Sequence, residues 1–194
     1  MTTSSVPPDA ATNARAIRLL ALDVDGVLTD GALRYDGGGN DPGGDRIFHV
    51  RDGLGLKLLM ARGIDVALIT GRRSPAVERR ARELGIECVI QGRDDKAAAL
   101  TALLDERGLE PRHACYCGDD LPDLGAIMLS GLGVTVADAP DYIQQRADIV
   151  TTACGGRGAV RELCEWLLAA RGELDDIIAG FETAADSDAE QKSY

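Results

Sequence analysis

ALDVDGVLTDG, residues 21–31, is the stretch on which the fold turns. An apolar run over 17–24 delivers two carboxylates, Asp23 and Asp25, at its end, and a glycine follows. A continuous run of this kind, unlike an apolar–polar alternation, reads as a strand buried on both faces. Apolar runs recur at 64–70, 86–90, 113–117, 132–136 and 148–150. Between them the periodicity predicts helices near 53–62, 75–84, 95–107, 122–130, 140–146 and 157–171. Short buried strands alternating with amphipathic helices define an α/β fold, a doubly wound, Rossmann-like parallel sheet flanked by helices. Its ligands should bind at the carboxyl ends of the strands.

One interval is too long for a simple connection. Residues 29–51 lie between the first strand and the first helix and read as a β-hairpin flap. Its two short strands flank a tip over 36–45 with five glycines and a proline, a composition that makes the tip mobile. No other interval is long enough for a second domain, so none is expected. The chain then divides into a flexible leader over 1–16, a domain over 17–172 and an acidic tail over 173–194. The spacing of Leu174, Ile177, Ile178 and Phe181 allows a short helix where the tail begins.

Composition narrows the function classes. The chain of 194 residues has a formal net charge of −11, which argues against nucleic acid and against an anionic membrane surface as partners. Seven acids and one base fall in the tail, leaving 25 acids and 20 bases in residues 1–172, so more than half of the surplus sits in a solvated extension. The longest uncharged run, 124–137, is interrupted by three glycines and is too short to span a bilayer, which needs about 18 residues. Five cysteines without a framework spacing, and no secretory leader, point to a reducing cytoplasm. Cys115 and Cys117 alternate along a buried strand and read as core. His49 and His113 pair with no metal-type cysteine spacing, so a structural zinc site is not expected. Neither a P-loop nor a GxGxxG fingerprint is present, which leaves a nucleotide-dependent enzyme without support.

The chemistry concentrates at strand ends. Asp23 and Asp25, spaced i, i+2, repel one another unless a cation offsets them. Asp119, Asp120 and Asp123, in CYCGDDLPD, follow the fourth strand, which the fold can place beside the first. Taken singly, Asp120 or Asp123 reads as a helix cap or turn residue. As a set, the five offer hard oxygen ligands suited to Mg²⁺. Thr70, Gly71, Arg72 and Arg73, in LITGRRS, bring a hydroxyl, a flexible glycine and two guanidiniums to a helix start, a suitable anion site. Lys96, in QGRDDK, opens the helix after the third strand and alone reads as a surface charge. Together the four strand ends suit phosphoryl transfer, where positioning and charge neutralisation do most of the work.

DVDGVLTDG, the threonine of ITGR, the lysine of QGRDDK and GDDLPD resemble the four motifs of the haloacid dehalogenase superfamily of phosphatases. FHVRDGLGLK and GGRGAVREL narrow the resemblance to the cap-less 3-deoxy-D-manno-octulosonate 8-phosphate phosphatases, over residues 19–168. The resemblance implies that Asp23 is the nucleophile, Asp25 the general acid and base, and Thr70 and Lys96 the ligands of the phosphoryl oxygens. It implies Mg²⁺ held by Asp23, the Asp25 carbonyl and Asp119, with Asp120 and Asp123 in support. Arg72 matches a substrate-contacting arginine, and Gly71, Arg51 and Arg161 join it as candidate substrate-binding residues, although Arg51 and Arg161 read equally as salt-bridge partners. The implied substrate is a small phosphorylated sugar acid of lipopolysaccharide synthesis. The implied assembly is a homotetramer whose flap helps form the interface and whose Gly-rich segment, 155–162, reaches a neighbouring active site.

Two departures stand out. The flap tip is longer and richer in glycine than usual, with Asp45 near the place of a common Gly-Glu pair, and the acidic tail runs past the usual end. A nonulosonic (sialic-type) acid 9-phosphate remains an alternative substrate. A catalytically silent regulatory subunit is a further alternative, opposed by the fact that every catalytic position is filled.

Overall fold

The computed structural model describes residues 8–34 and 45–191. Six parallel strands form its centre: β1 (Leu19–Leu22), β2 (Asp65–Thr70), β3 (Cys88–Gln91), β4 (Ala114–Cys117), β5 (Leu132–Thr135) and β6 (Ile149–Val150), in the order β3-β2-β1-β4-β5-β6. Every residue of β1 and β4 is buried, as a strand covered on both faces requires, whereas β3 at the edge is half-buried throughout. The chain winds outward from β1 through β2 to β3, then crosses back to β4. Strand order therefore reverses between β1 and β4, where Leu22 pairs in register with Cys117. That reversal is where a doubly wound sheet opens a crevice at its carboxyl edge, and both main acidic clusters follow these two strands.

Helices α1 (Pro8–Ala16), α2 (Val50–Ala61), α3 (Pro75–Leu84), α4 (Lys96–Arg107), α5 (Leu124–Leu129), α6 (Asp141–Gln144), α7 (Ala159–Ala170) and α8 (Leu174–Gln191) complete the domain. The pairs α2–α7 and α4–α5 build the two helical layers. Local chemistry sets their ends. Pro75 opens α3 in the first turn, and Gly85 ends it at φ 80°. The Asp95 carboxylate caps α4 by accepting from the Ala98 N–H at 3.0 Å, which fixes where Lys96 enters the fold.

Three expectations need amendment. The leader expected to be flexible over 1–16 carries helix α1, because Ala10 and Ala14 are small enough to bury against the domain. Side chains of α1 also tie it down: the Asn13 amide donates to the Gly131 carbonyl, and the Arg15 guanidinium donates to that of Ala170. The flap, expected as two short strands over 29–51, shows one antiparallel bridge between Arg34 and Asp45 among the described residues, and Val50 and Arg51 already belong to α2. Most of its Gly-rich tip lies outside the described residues. In the tail, the expected short helix extends to Gln191, and Ile177 is buried where α8 packs on α7, while Ile178 and Phe181 are exposed. No helix among the described residues is long and apolar enough to cross a membrane, and all five cysteines are free thiols.

Candidate active site

The crevice at the β1–β4 reversal encloses about 360 Å³ and is lined by Asp23, Asp25, Thr70, Gly71, Arg72 and Lys96, with Asp94, Asp119, Asp120, Pro122 and Asp123 on its far side. Four strand ends contribute, as the sequence motifs imply. Gly26 permits the closure: it sits at φ 93°, and a Cβ there would lie 2.0 Å from Asp119 Oδ2, so only glycine lets the two acidic loops meet.

Asp123 organises the interior. Its Oδ1 accepts from Lys96 Nζ at 2.7 Å and from the buried Tyr116 hydroxyl at 2.6 Å. Its Oδ2 accepts from the backbone N–H groups of Asp119 and Asp120, each at 3.3 Å. Four donors fill a carboxylate's capacity, so Asp123 positions its neighbours and has little left for a ligand. Lys96 also contacts Asp23 Oδ1 at 2.9 Å. Burial opposes the Lys96 charge, yet Asp23 and Asp123 outweigh it and hold the ammonium's pKa above its ordinary value.

Asp23, Asp119 and Asp123 each bring a carboxylate oxygen within 4.8 Å of the others. Three carboxylates around one ammonium leave two formal negative charges on a largely buried cluster. Asp23 is accordingly pushed up to about 8 and Asp119 to about 7, first by burial and then by repulsion from Asp123. Asp119 Oδ1 is also buried without a hydrogen-bond partner, a costly state unless something binds there. A hard dication answers both the charge deficit and the orphaned oxygen, so these residues fit Mg²⁺.

The other candidates divide into those the fold gathers and those it does not. Thr70 is buried at the end of β2, and its Oγ1 accepts from the Arg72 N–H at 3.4 Å. Arg72 lies at the mouth with its side chain 56% exposed and its Nε 3.8 Å from Asp25 Oδ2. Asp120 lines the crevice, but its Oδ1 accepts from the Leu121 N–H at 2.8 Å, and its carboxylate stands outside the cation cluster. Arg51 is exposed at the start of α2, and Arg161 pairs through Nε with Glu165 at 2.6 Å; neither lines the crevice. Arg46, which the sequence motifs do not point to, also belongs to this centre. It donates from Nε to Asp25 Oδ1 at 2.6 Å and from Nη2 to Asp25 Oδ2 at 2.9 Å. Its only sequence signal is a period-two relation to Phe48, which puts both side chains on one side of an extended segment.

A parallel sheet with acidic loops at its reversal, a buried lysine and a threonine at the next strand ends defines a hydrolase of the haloacid dehalogenase type. The haloacid dehalogenase-like hydrolase family model matches residues 88–161. The 3-deoxy-D-manno-octulosonate 8-phosphate phosphatase KdsC of Salmonella typhimurium is 45% identical over 171 residues, 88% of this chain and 89% of its own. A crystal structure of 3-deoxy-D-manno-octulosonate 8-phosphate phosphatase from Moraxella catarrhalis, in complex with magnesium ion, phosphate ion and a KDO molecule, superposes with a TM-score of 0.86 at 46% identity, covering 89% of this chain and 98% of that one. The cobalt-bound form of the deoxy-D-mannose-octulosonate 8-phosphate phosphatase (YrbI) from Haemophilus influenzae gives 0.79 at 41% identity, over 84% and 93%. The chain belongs to the 3-deoxy-D-manno-octulosonate 8-phosphate phosphatase (KdsC) family of haloacid dehalogenase-like hydrolases.

Proposed function

We propose that this protein is a Mg²⁺-dependent phosphomonoesterase that hydrolyses 3-deoxy-D-manno-octulosonate 8-phosphate to the free sugar acid and phosphate. The observation that carries the reading is the convergence of Asp23, Asp119, Lys96 and Thr70 on one crevice with Arg72 at its mouth. The magnesium, phosphate and sugar acid held by the Moraxella relative support it.

Asp23 attacks phosphorus, and the ester bond breaks with its electron pair passing to the sugar oxygen. That oxygen takes a proton from Asp25, leaving an aspartyl-phosphate. Water then attacks phosphorus, gives its proton to Asp25 and releases phosphate from Asp23. Asp23 and Asp119, with the Asp25 carbonyl, would hold the metal, while Asp123 fixes Lys96 and the Asp119 loop. Mg²⁺, when bound, offsets a repulsion of about 4 kcal/mol per unit charge between carboxylate and phosphate at ~4 Å. Thr70 and Lys96 donate to the transferring oxygens, and Arg72 meets the substrate carboxylate.

The direct test is phosphate release by wild type and Asp23→Asn with Mg²⁺. Retained activity in the variant would sink the mechanism. Higher kcat/KM for a nonulosonate 9-phosphate than for the octulosonate 8-phosphate would reassign the substrate. A cytoplasmic homotetramer is the companion expectation, and exposed Ile47 at the flap base and Val50 at the start of α2 support the assembly. Light scattering at 20.5 kDa, the mass of one chain, would refute the assembly.

A further inference from the structure

Two arginines face the Asp25 carboxylate, and they are built differently. Arg72 approaches from the mouth, 3.8 Å away and more than half exposed. Arg46 approaches from inside the flap base, its side chain 0% exposed, and grips both oxygens in a fork. Its chain neighbour Asp45 is tied to the opposite flap arm, donating its N–H to the Arg34 carbonyl at 2.9 Å. The guanidinium thus belongs to an anchored element, not to a loose surface side chain.

This pairing has a geometric consequence. Asp25 follows β1 only two residues after Asp23, yet its carboxylate takes no part in the cluster of Asp23, Asp119 and Asp123. A carboxylate so close to a cation site is itself a competent ligand, and there it would be lost to the leaving oxygen. The fork supplies the force that turns it the other way, because a bidentate guanidinium fixes both direction and plane.

We propose that Arg46 is a positioning residue for the reaction: the flap uses its buried guanidinium to hold the Asp25 carboxylate clear of the cation cluster and aimed at the leaving-group side. The inference rests on the phosphatase reading and adds the flap base to the catalytic apparatus. It places the flap's role at the proton-handling carboxylate, beyond any part it has in subunit contacts.

The test compares wild type, Arg46→Ala, Asp25→Asn and the double variant on 3-deoxy-D-manno-octulosonate 8-phosphate with Mg²⁺. Since a well-placed acid–base group contributes about 10²–10⁴-fold, Arg46→Ala should lower kcat by roughly 10²-fold and leave KM within about twofold. The double variant should be no slower than Asp25→Asn within about threefold, because both changes remove the same function. Millimolar guanidinium should restore kcat in Arg46→Ala and leave Asp25→Asn unchanged, a response that a merely structural arginine would not give. If Arg46→Ala does not fold, Arg46→Lys decides. Lysine keeps the charge without the fork, so kcat should drop about tenfold at an unchanged Tm, and a wild-type kcat would overturn the proposal. Multiplicative losses in the double variant, a loss carried by KM, or no guanidinium response would also overturn it. An inactive wild-type enzyme would instead sink the phosphatase reading, and the inference with it.

Discussion

Replacing Lys96 with methionine isolates the charge that balances the buried aspartates. The side chains of Lys96, Asp23 and Asp123 are 5%, 8% and 1% exposed, and the ammonium lies 2.9 and 2.7 Å from the two carboxylates. Methionine keeps most of the volume and removes the charge. Breaking a buried pair by deleting one partner costs about 3–5 kcal/mol, because the surviving charge stays desolvated. At about 2–4 °C per kcal/mol for a chain of this length, Tm should fall by roughly 6–20 °C. Lys96 is held above its ordinary value of 10.5, so its contribution is fully present at every pH below that and is lost only as pH rises through the elevated value. Between about pH 5.5 and 8.5 any pH dependence of the loss therefore comes from the carboxylates. In metal-free Lys96→Met the loss should be largest at pH 8.5 and smaller at 5.5, where Asp23 and Asp119 take up protons. Mg²⁺ should recover part of it. Differential scanning calorimetry in EDTA and in Mg²⁺ at both pH values measures all four quantities. A Tm drop below about 2 °C at pH 8.5 without metal, or a drop equal at both pH values, would refute the account of the site as a charge-deficient cluster.

Further outcomes follow from the same geometry. In metal-free wild type, folding raises Asp119 to about 7 and Asp23 to about 8, from 3.8. Their contribution is fully present below 3.8 and is lost as pH climbs through those values, so Mg²⁺ should raise Tm more at pH 8.5 than at 5.5, measured by thermal melts. A Cβ on Gly155 would lie 1.7 Å from the Gly26 carbonyl oxygen, in the loop that carries Asp25; Gly155→Ala should lower both Tm and kcat. Gly180, inside α8 with nothing within 4 Å of a Cβ, gives the opposite sign, and Gly180→Ala should stabilise by about 0.5–1 kcal/mol in denaturant titrations. Asp52 accepts from the Arg161 N–H at 2.8 Å across the α2–α7 contact; Asp52→Ala should cost about 1–2 kcal/mol, read as a Tm drop of roughly 2–8 °C.

The elements legible in the sequence are those whose causes are local. The strand β2 and the helix α3 are read almost to the residue, because an apolar run centred on 66–69 and a helical periodicity over 75–84 are short-range signals. The conjunction of Asp23, Asp25, Thr70, Lys96 and the 119–123 aspartates follows once the sheet is taken as doubly wound, since all are counted from strand ends. What escapes is set by contacts distant in sequence. Arg46 meets Asp25 across 21 residues, a pairing that its faint period-two relation to Phe48 does not reveal. Tyr116 lies between Cys115 and Cys117 on β4 and carries no sequence sign of its role, yet its hydroxyl donates to Asp123. The leader is expected to be flexible from its composition, yet over residues 8–16 two buried alanines and two side-chain hydrogen bonds hold it to the domain.

The acidity of the chain takes on a different meaning when its charges are placed. The surplus of the 173–194 segment lies almost wholly along α8, where Asp175, Asp176 and Glu182 are exposed to solvent. Among the carboxylates after β1 and β4, Asp23 and Asp123 are buried and Asp119 half-buried, and these three repel one another and are short of one dication's worth of charge. Screening makes the first set nearly irrelevant to stability at physiological salt, while the second set is screened far less because its charges are buried or half-buried. Net charge therefore carries little information about what this protein binds; the local deficit around Asp23 and Asp119 carries most of it. A mutation that neutralises the tail should leave phosphatase activity alone, whereas one that neutralises a single buried aspartate changes both the cation the site can hold and the pH at which it can hold it.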